Sequence, residues 1–326
     1  MENNEIFKSR LPVDELSQSV SSVKKEMAKI IVGQDKMVEQ MLVAILANGH
    51  VLIEGVPGVA KTLAAKILAR TISSKFSRIQ FTPDLMPSDI IGTNVFNMSN
   101  SNFEFRPGPI FSNIILIDEI NRAPAKTQAA LFEVMEEQQI TLDGKSYQMD
   151  KPFLVFATQN PIEYEGTYRL PEAQLDRFLL KIKVDYPTVD EEVLILTGNH
   201  ERRGKREIEG VQAVLSAAQI TSYQELTQMV QIEENLKRYI SLIIQKTRNY
   251  PSIYLGASPR ASIYLMTASK ALAIIRGRDF ITPDDIREMI NPVLGHRIIL
   301  TAEKEMEGQT TADALRQVVQ SIDIPR

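Results

Sequence analysis

The stretch Gly55-Val56-Pro57-Gly58-Val59-Ala60-Lys61-Thr62 constrains this chain more than any other, because an apolar run at 51–54 leads into it and a helix-compatible run at 63–71 leaves it. A strand, a glycine-bearing turn ending in Lys-Thr and then a helix is the order of a phosphate-cradling loop. Its mechanics are local. Glycines let the backbone curl so that successive N–H groups face one anion, and the helix start adds the positive end of its dipole. Lys61 then reaches the terminal phosphates, the Thr62 hydroxyl is placed for Mg2+, and Leu63 continues the helix. Ala60 stands where the pattern asks for glycine. A methyl costs little there if residue 60 already has helical dihedrals, and it is expected to be tolerated.

Further apolar runs at 78–82, 114–117, 153–158 and 179–184 alternate with helical or turn-rich sequence. That alternation predicts an α/β fold with a mostly parallel, covered sheet. Between the third and fourth of the five runs, Leu131, Val134, Met135 and Gln138 fall at helical spacing. Two short runs around Asp143-Gly144 then read as a β-hairpin. Beyond Asp185-Tyr186-Pro187 the strand signals stop and helical patterns take over, as at 239–246 and 261–275. Ser258-Pro259 and Thr282-Pro283 each offer a capping hydroxyl and a first-turn proline. The expected organisation is an α/β nucleotide-binding core over residues 1–186, including an N-terminal helical segment, and a small all-helical domain over 187–326.

The run Ile114-Ile115-Leu116-Ile117 ends in Asp118-Glu119, and ligands of α/β sheets sit at the carboxyl ends of strands. Asp118 is expected in the Mg2+ shell. Glu119, with no cation beside it in sequence, is expected to orient and polarise an attacking water, since phosphoryl transfer asks a protein mainly for positioning and charge stabilisation. The run at 153–158 ends at Gln159-Asn160-Pro161, so Asn160 either reaches the same water or γ-phosphate or starts an ordinary turn. Arg260 falls in the first turn of a helix, where the macrodipole disfavours a cation, so it needs an anionic partner: a triphosphate in an interdomain cleft, or a carboxylate. For Arg177 the residues alone favour an intrachain pair with Asp176 or Glu172.

Composition removes other chemistries. The chain has 326 residues with 37 basic against 41 acidic, a net charge of −4 that gives no whole-molecule field for nucleic acid or anionic membrane. It has no cysteine and three scattered histidines, which excludes disulfide frameworks and argues against zinc sites, so a metal must sit on oxygen ligands. No apolar run approaches the roughly 18 residues a membrane helix needs. The N-terminus carries no basic-then-apolar signal pattern, so the cytoplasm is the expected compartment.

Taken together these residues resemble the AAA+ superfamily and, in detail, its MoxR branch, over roughly residues 10–300. The stretches that carry the resemblance are Val32-Gly33-Gln34, the loop 55–62, Pro83-Asp84-Leu85-Met86-Pro87-Ser88-Asp89, Phe105-Arg106-Pro107-Gly108-Pro109-Ile110-Phe111, Ile117-Asp118-Glu119-Ile120-Asn121-Arg122, Ala157-Thr158-Gln159-Asn160-Pro161, Leu175-Asp176-Arg177-Phe178 and Ala257-Ser258-Pro259-Arg260-Ala261. The resemblance implies ATP with Mg2+ as cofactors, Gly33 and Gln34 near the adenine, and Asn160 as sensor 1. It further implies Arg260 as sensor 2 and Arg177 as an arginine finger acting on a neighbouring subunit's ATP, with Arg122 and Arg169 as rival fingers. A homo-hexameric ring follows, together with a helix-2 insertion at 84–105 and a pre-sensor-1 hairpin at 140–149 facing the pore or substrate. A protein client is implied too, with von Willebrand factor A domain proteins as frequent partners.

Three other functions share parts of this pattern. A motor subunit of a metal-insertion complex, like that of magnesium chelatase, would use the same ATP site. A DNA-directed motor is disfavoured by the neutral hairpin, where Asp143 and Asp150 offset Lys145 and Lys151. A nucleotide-gated binding module has no use for Glu119.

Overall fold

The computed structural model describes residues 11–99, 101–160, 168, 170–202 and 207–325. Arg169 and Pro161, named above, lie outside them. Helices α1 (Val13–Ala28) and α2 (Asp35–Leu46) precede strand β1 (Val51–Gly55), which feeds the loop that starts α3 (Lys61–Thr71). Strand β2 (Phe76–Gln80) is followed by a short helix α4 (Pro87–Ile91) and a hairpin of β3 (Gly92–Asn97) and β4 (Asn102–Pro107). Strand β5 (Ile114–Asp118) passes through a 3-10 turn, Ile120–Arg122, into α5 (Ala125–Glu137) and a second hairpin, β6 (Gln139–Leu142) with β7 (Lys145–Gln148). Strand β8 (Leu154–Gln159), the short α6 (Glu172–Leu175) and β9 (Leu180–Val184) complete the α/β part.

The five long-range strands form one all-parallel sheet in the order β2-β5-β8-β1-β9. Side chains alternate between its faces, as the period of two requires. Ile114, Leu116, Leu154, Phe156, Val51 and Ile53 pack on the side of α1, α2 and α3, whereas Ile115, Ile117, Val155, Ala157 and Leu52 join Leu131, Phe132 and Met135 of α5 on the other. Both faces being covered explains why β5 is continuously apolar until Asp118. Each such side chain, fully buried, contributes about 1.5–3 kcal/mol. Strand β2 begins two residues earlier than its apolar pattern predicts, a shift that matters for the site below.

The C-terminal part is helical: α7 (Val189–Arg202), a 3-10 turn at Glu207–Gly210, α8 (Ala217–Met229) and α9 (Glu234–Arg248) lead to α10 (Pro259–Ile275), α11 (Pro283–Leu294), α12 (Ala302–Met306) and α13 (Thr311–Gln320). It also holds a two-stranded antiparallel pair, β10 (Ile253–Leu255) with β11 (Ile299–Leu300), too short to leave a periodic signal. The apolar core on the α1–α3 side continues without a break into Tyr239, Ile243, Leu265, Ile286 and Val318. Of the two expected capping hydroxyls, Thr282 binds the Asp285 carboxylate at 2.8 Å at the start of α11. Ser258 instead donates to Asp176 Oδ2 at 3.0 Å, tying the start of α10 to the α6–β9 turn. No helix among the described residues is long and apolar enough to cross a membrane.

Candidate active site

The carboxyl ends of β1, β5 and β8 meet at one cavity of about 350 Å³, lined by Pro57, Gly58, Ala60, Lys61, Thr62, Leu63, Arg78, Gln80, Asp118, Glu119, Thr158 and Asn160. Strand geometry causes the convergence, because parallel neighbours present their last residues to the same edge. The loop between β1 and α3 forms the floor. Gly58 holds φ at +88°, a conformation open to glycine, while Val56 and Val59 turn into the core. The Lys61 ammonium donates to the Gly55 carbonyl, folding the side chain back over its own loop.

The helical condition under which a methyl costs little at residue 60 is not met. Ala60 takes φ 60°, ψ 18°, the left-handed region, as the residue that caps α3. The cost for an L-residue is on the order of 1–2 kcal/mol. Ala60 and the first residues of α3, Lys61, Thr62 and Leu63, line the cavity. Glu119 is likewise left-handed, at φ 57°, ψ 54°. Strained backbone at two cavity residues is what functional sites tend to retain.

Asp118 is buried and fully engaged. Its Oδ1 accepts from Thr62 Oγ1 at 3.3 Å and from Thr158 Oγ1 at 3.1 Å, and its Oδ2 accepts from Arg78 Nε at 2.6 Å. Thr158 also accepts the Glu119 backbone N–H at 3.1 Å, so this hydroxyl couples β8 to the Asp118 carboxylate and to the backbone of Glu119. A hydroxyl and one carboxylate in direct contact are the donors a Mg2+ ion uses when it keeps several waters and takes its remaining ligands from phosphates, so Thr62 and Asp118 fit that ion. No cluster of three His, Cys, Asp or Glu side chains exists among the described residues to hold a metal by itself.

Glu119 does have a cation. The 3-10 turn brings Arg122 back by one turn, with Nε 3.1 Å from Glu119 Oε2, and Gln80 Nε2 donates to the same oxygen at 2.8 Å. The pair is three residues apart, so adjacent residues in the sequence give no sign of it. Arg78 and Gln80 were missed with it: the two-residue displacement of β2 places Gln80 opposite Asp118 in the parallel register. Their signal was available as two polar side chains alternating with Ile79 in a strand otherwise joined to an apolar sheet. Asn160, nearly buried at the end of β8, lines the cavity rather than an exposed turn.

A second cavity of about 860 Å³ adjoins the first across Gly58, Ala60 and Leu63. Gly33 lines it, together with Val32, Ile31 and the α7 side chains Glu191, Leu194 and Ile195. Gly33 has φ +72°, and a Cβ there would lie 2.5 Å from the Glu191 carboxyl carbon. Gln34 does not line the cavity; its amide donates to the Asp185 carbonyl at 3.2 Å. The α7 residues carried no motif and were not identified from sequence.

Arg177 and Arg260 stand outside both cavities. Arg260 is held by a carboxylate, Glu136 of α5, at 2.7 Å, the ion-pair alternative. Arg177 pairs with Glu136 at 3.2 Å, not with Asp176 or Glu172. Asp176 is taken by Arg297, whose buried guanidinium approaches it at 2.8 Å. The two hairpins pack on each other through Phe105 and Tyr147, ring centroids 4.3 Å apart, and through the Asn94–Asp143 contact, leaving Met98 and Phe103 of the β3–β4 hairpin exposed.

Residues 50–180 match the ATPase family associated with various cellular activities (AAA), and residues 245–318 match the AAA lid domain. The chain is 44% identical to chaperone MoxR1 of Mycobacterium tuberculosis over 92% of its own length and 81% of that protein. It is 30% identical to protein MoxR of Methylorubrum extorquens, over 92% of its length and 94% of the other. Among solved structures, a candidate ATPase from Cytophaga hutchinsonii superposes with a TM-score of 0.89 at 41% identity, over 96% of this chain and 97% of that one.

Proposed function

The chain belongs to the MoxR family of AAA+ ATPases, and on that premise we propose that it forms a homo-hexameric ring in which Mg-ATP hydrolysis drives chaperone-like remodelling of a protein client. One observation carries the reading. Lys61, Thr62, Asp118, Glu119 and Asn160 converge on one cavity, while Arg177 and Arg260 sit together outside it, available to another subunit.

In this reading the loop 55–62 binds the phosphates, with the N–H groups at the start of α3 and Lys61 as donors. The neighbouring cavity, bounded by Gly33, Leu63, Leu194 and Ile195, receives the adenosine, and Gln34 supports that wall through Asp185. Thr62 and Asp118 hold Mg2+, which when bound neutralises phosphate charge. Glu119, oriented by Gln80 and Arg122, accepts a proton from the attacking water. Asn160 positions that water against the γ-phosphate. Catalysis by placement and charge is what phosphoryl transfer requires.

Arg177 and Arg260 complete the site from the neighbouring subunit, where a finger of this kind accelerates turnover by about 10³–10⁵. The apolar Met98 and Phe103 on the β3–β4 hairpin favour a protein surface over a nucleic acid as the thing moved, with von Willebrand factor A domain proteins as the partner class. We place this work in the cytoplasm, by a core over residues 1–186 and a lid over 187–326. The test is steady-state Mg-ATP hydrolysis per subunit across a wide range of protein concentration. Specific activity is expected to rise with concentration and to fall when Arg177→Ala subunits are mixed in. An active monomer, confirmed by sizing at the same dilution, overturns the ring mechanism.

A further inference from the structure

Glu136 holds two cations on one carboxylate, and nothing in the cavity chemistry accounts for it. Its Oε1 accepts from Arg260 Nη2 at 2.7 Å and its Oε2 from Arg177 Nε at 3.2 Å. The three groups come from three separate elements: the last turn of α5, the turn between α6 and β9, and the first turn of α10. The backbone around them is fixed independently. Ser258 and Arg297 both bind Asp176, which joins the start of α10 to the α6–β9 turn, and Arg177 also lies 5.8 Å from the Phe132 ring, one turn before Glu136.

Stability is a poor explanation for this arrangement. All three side chains are about one-third exposed, and ion pairs of that kind contribute little to folding. Two guanidiniums brought to one carboxylate also keep a net positive charge, and Arg260 adds a cation to the unfavourable end of a helix dipole. Such a group is suited to meeting a polyanion. Without the carboxylate the two guanidiniums would repel each other, and both long side chains would regain rotamer freedom.

We propose that Glu136 is a positioning residue for ATP hydrolysis: it holds Arg177 and Arg260 side by side as one two-cation group, so that both reach the phosphates of the same neighbouring nucleotide together. The inference rests on the ring reading above and adds to it the residue that organises the arginines. Glu136 lies two residues before the αL residue Gln138, which leads into the β6–β7 hairpin.

The experiment compares full-length wild-type, Glu136→Gln, Arg177→Ala and Arg260→Ala proteins, measuring kcat, KM for ATP, ATP affinity and the sizing profile of each. The amide keeps the shape of Glu136 and removes its charge. Glu136→Gln is expected to lower kcat roughly ten- to a hundredfold, the scale of an ångström-sized misplacement, with KM, affinity and assembly unchanged. Mixing Glu136→Gln with Lys61→Ala subunits, which lack the phosphate-binding lysine but keep the arginine pair, is expected to restore part of the activity at mixed interfaces. Wild-type kcat in Glu136→Gln, or a loss that mixing does not rescue, overturns the proposal. Wild-type kcat in both arginine variants would instead overturn the ring reading beneath it.

Discussion

Lowering the pH from about 7.5 to about 5 is expected to cost this fold roughly 2 kcal/mol through one side chain, His50. The ring is buried between β1 and α5, with its edge against Phe153. Its Nδ1 accepts the Val155 N–H at 3.1 Å, so Nε2 carries the proton and donates to the Met135 carbonyl at 3.1 Å. A second proton would abolish the Val155 bond and place a charge in the core. Burial is the largest influence and pushes the imidazole from 6.5 down to about 4, against weaker pulls from the Met135 carbonyl and the Glu136 charge.

Between those two values the unfolded chain binds a proton that the folded chain refuses. The stability held by neutral His50 is therefore complete above 6.5 and is lost as pH falls toward 4. At 1.36 kcal/mol per unit the loss is capped at roughly 3 kcal/mol, of which roughly 2 is lost by about pH 5. The assay is urea unfolding followed by far-UV circular dichroism, since the chain has no tryptophan, on wild type and His50→Gln at both pH values. The amide can keep a donor and an acceptor but does not titrate. Carboxylates and the buried His296 are common to both proteins and cancel in the comparison. Wild type should lose roughly 2 kcal/mol more than the variant between the two pH values; equal losses would refute the neutral, buried state assigned to His50.

Two further substitutions probe the cavity directly. Glu119→Gln is expected to retain ATP affinity and to lower turnover by about 10²–10⁴, the range of a lost general base, because Gln80 and Arg122 can still hold the amide; wild-type turnover would remove the assignment. Ala60→Gly should relieve a left-handed strain of about 1–2 kcal/mol and return part of it through the greater freedom of glycine in the unfolded chain. Equal or slightly higher stability with ATP binding at least as tight is expected in denaturation and calorimetry, and a clear loss of both would contradict the strain.

Much of the site is legible in the linear chain because its parts are local. Gly55 to Thr62 lie between their own strand and helix, and Asp118-Glu119 end a strand whose apolarity announces that both faces are covered. Asn160 ends another. The strand runs were placed within about two residues, yet that small error in β2 hid Arg78 and Gln80, whose roles depend on which residue of β5 they face. Thr158 was invisible for the same reason: a hydroxyl in a strand acquires its role only from the strand beside it.

The phosphate loop, the acidic strand end, the alternation that makes a parallel sheet, and the family can all be read along the linear chain. These depend on contacts within a few residues and on the period of apolar side chains. The left-handed Ala60, the support of Glu119 by Arg122 and Gln80, and the convergence of Arg177 and Arg260 on Glu136 emerge from the folded chain alone. Glu136 lies 41 residues from one arginine and 124 from the other, and no local propensity encodes such a meeting. The Asp176 bridge to Ser258 and Arg297 ties the start of α10 to the α6–β9 turn, and charge selects the pairing with Glu136 once these groups are near.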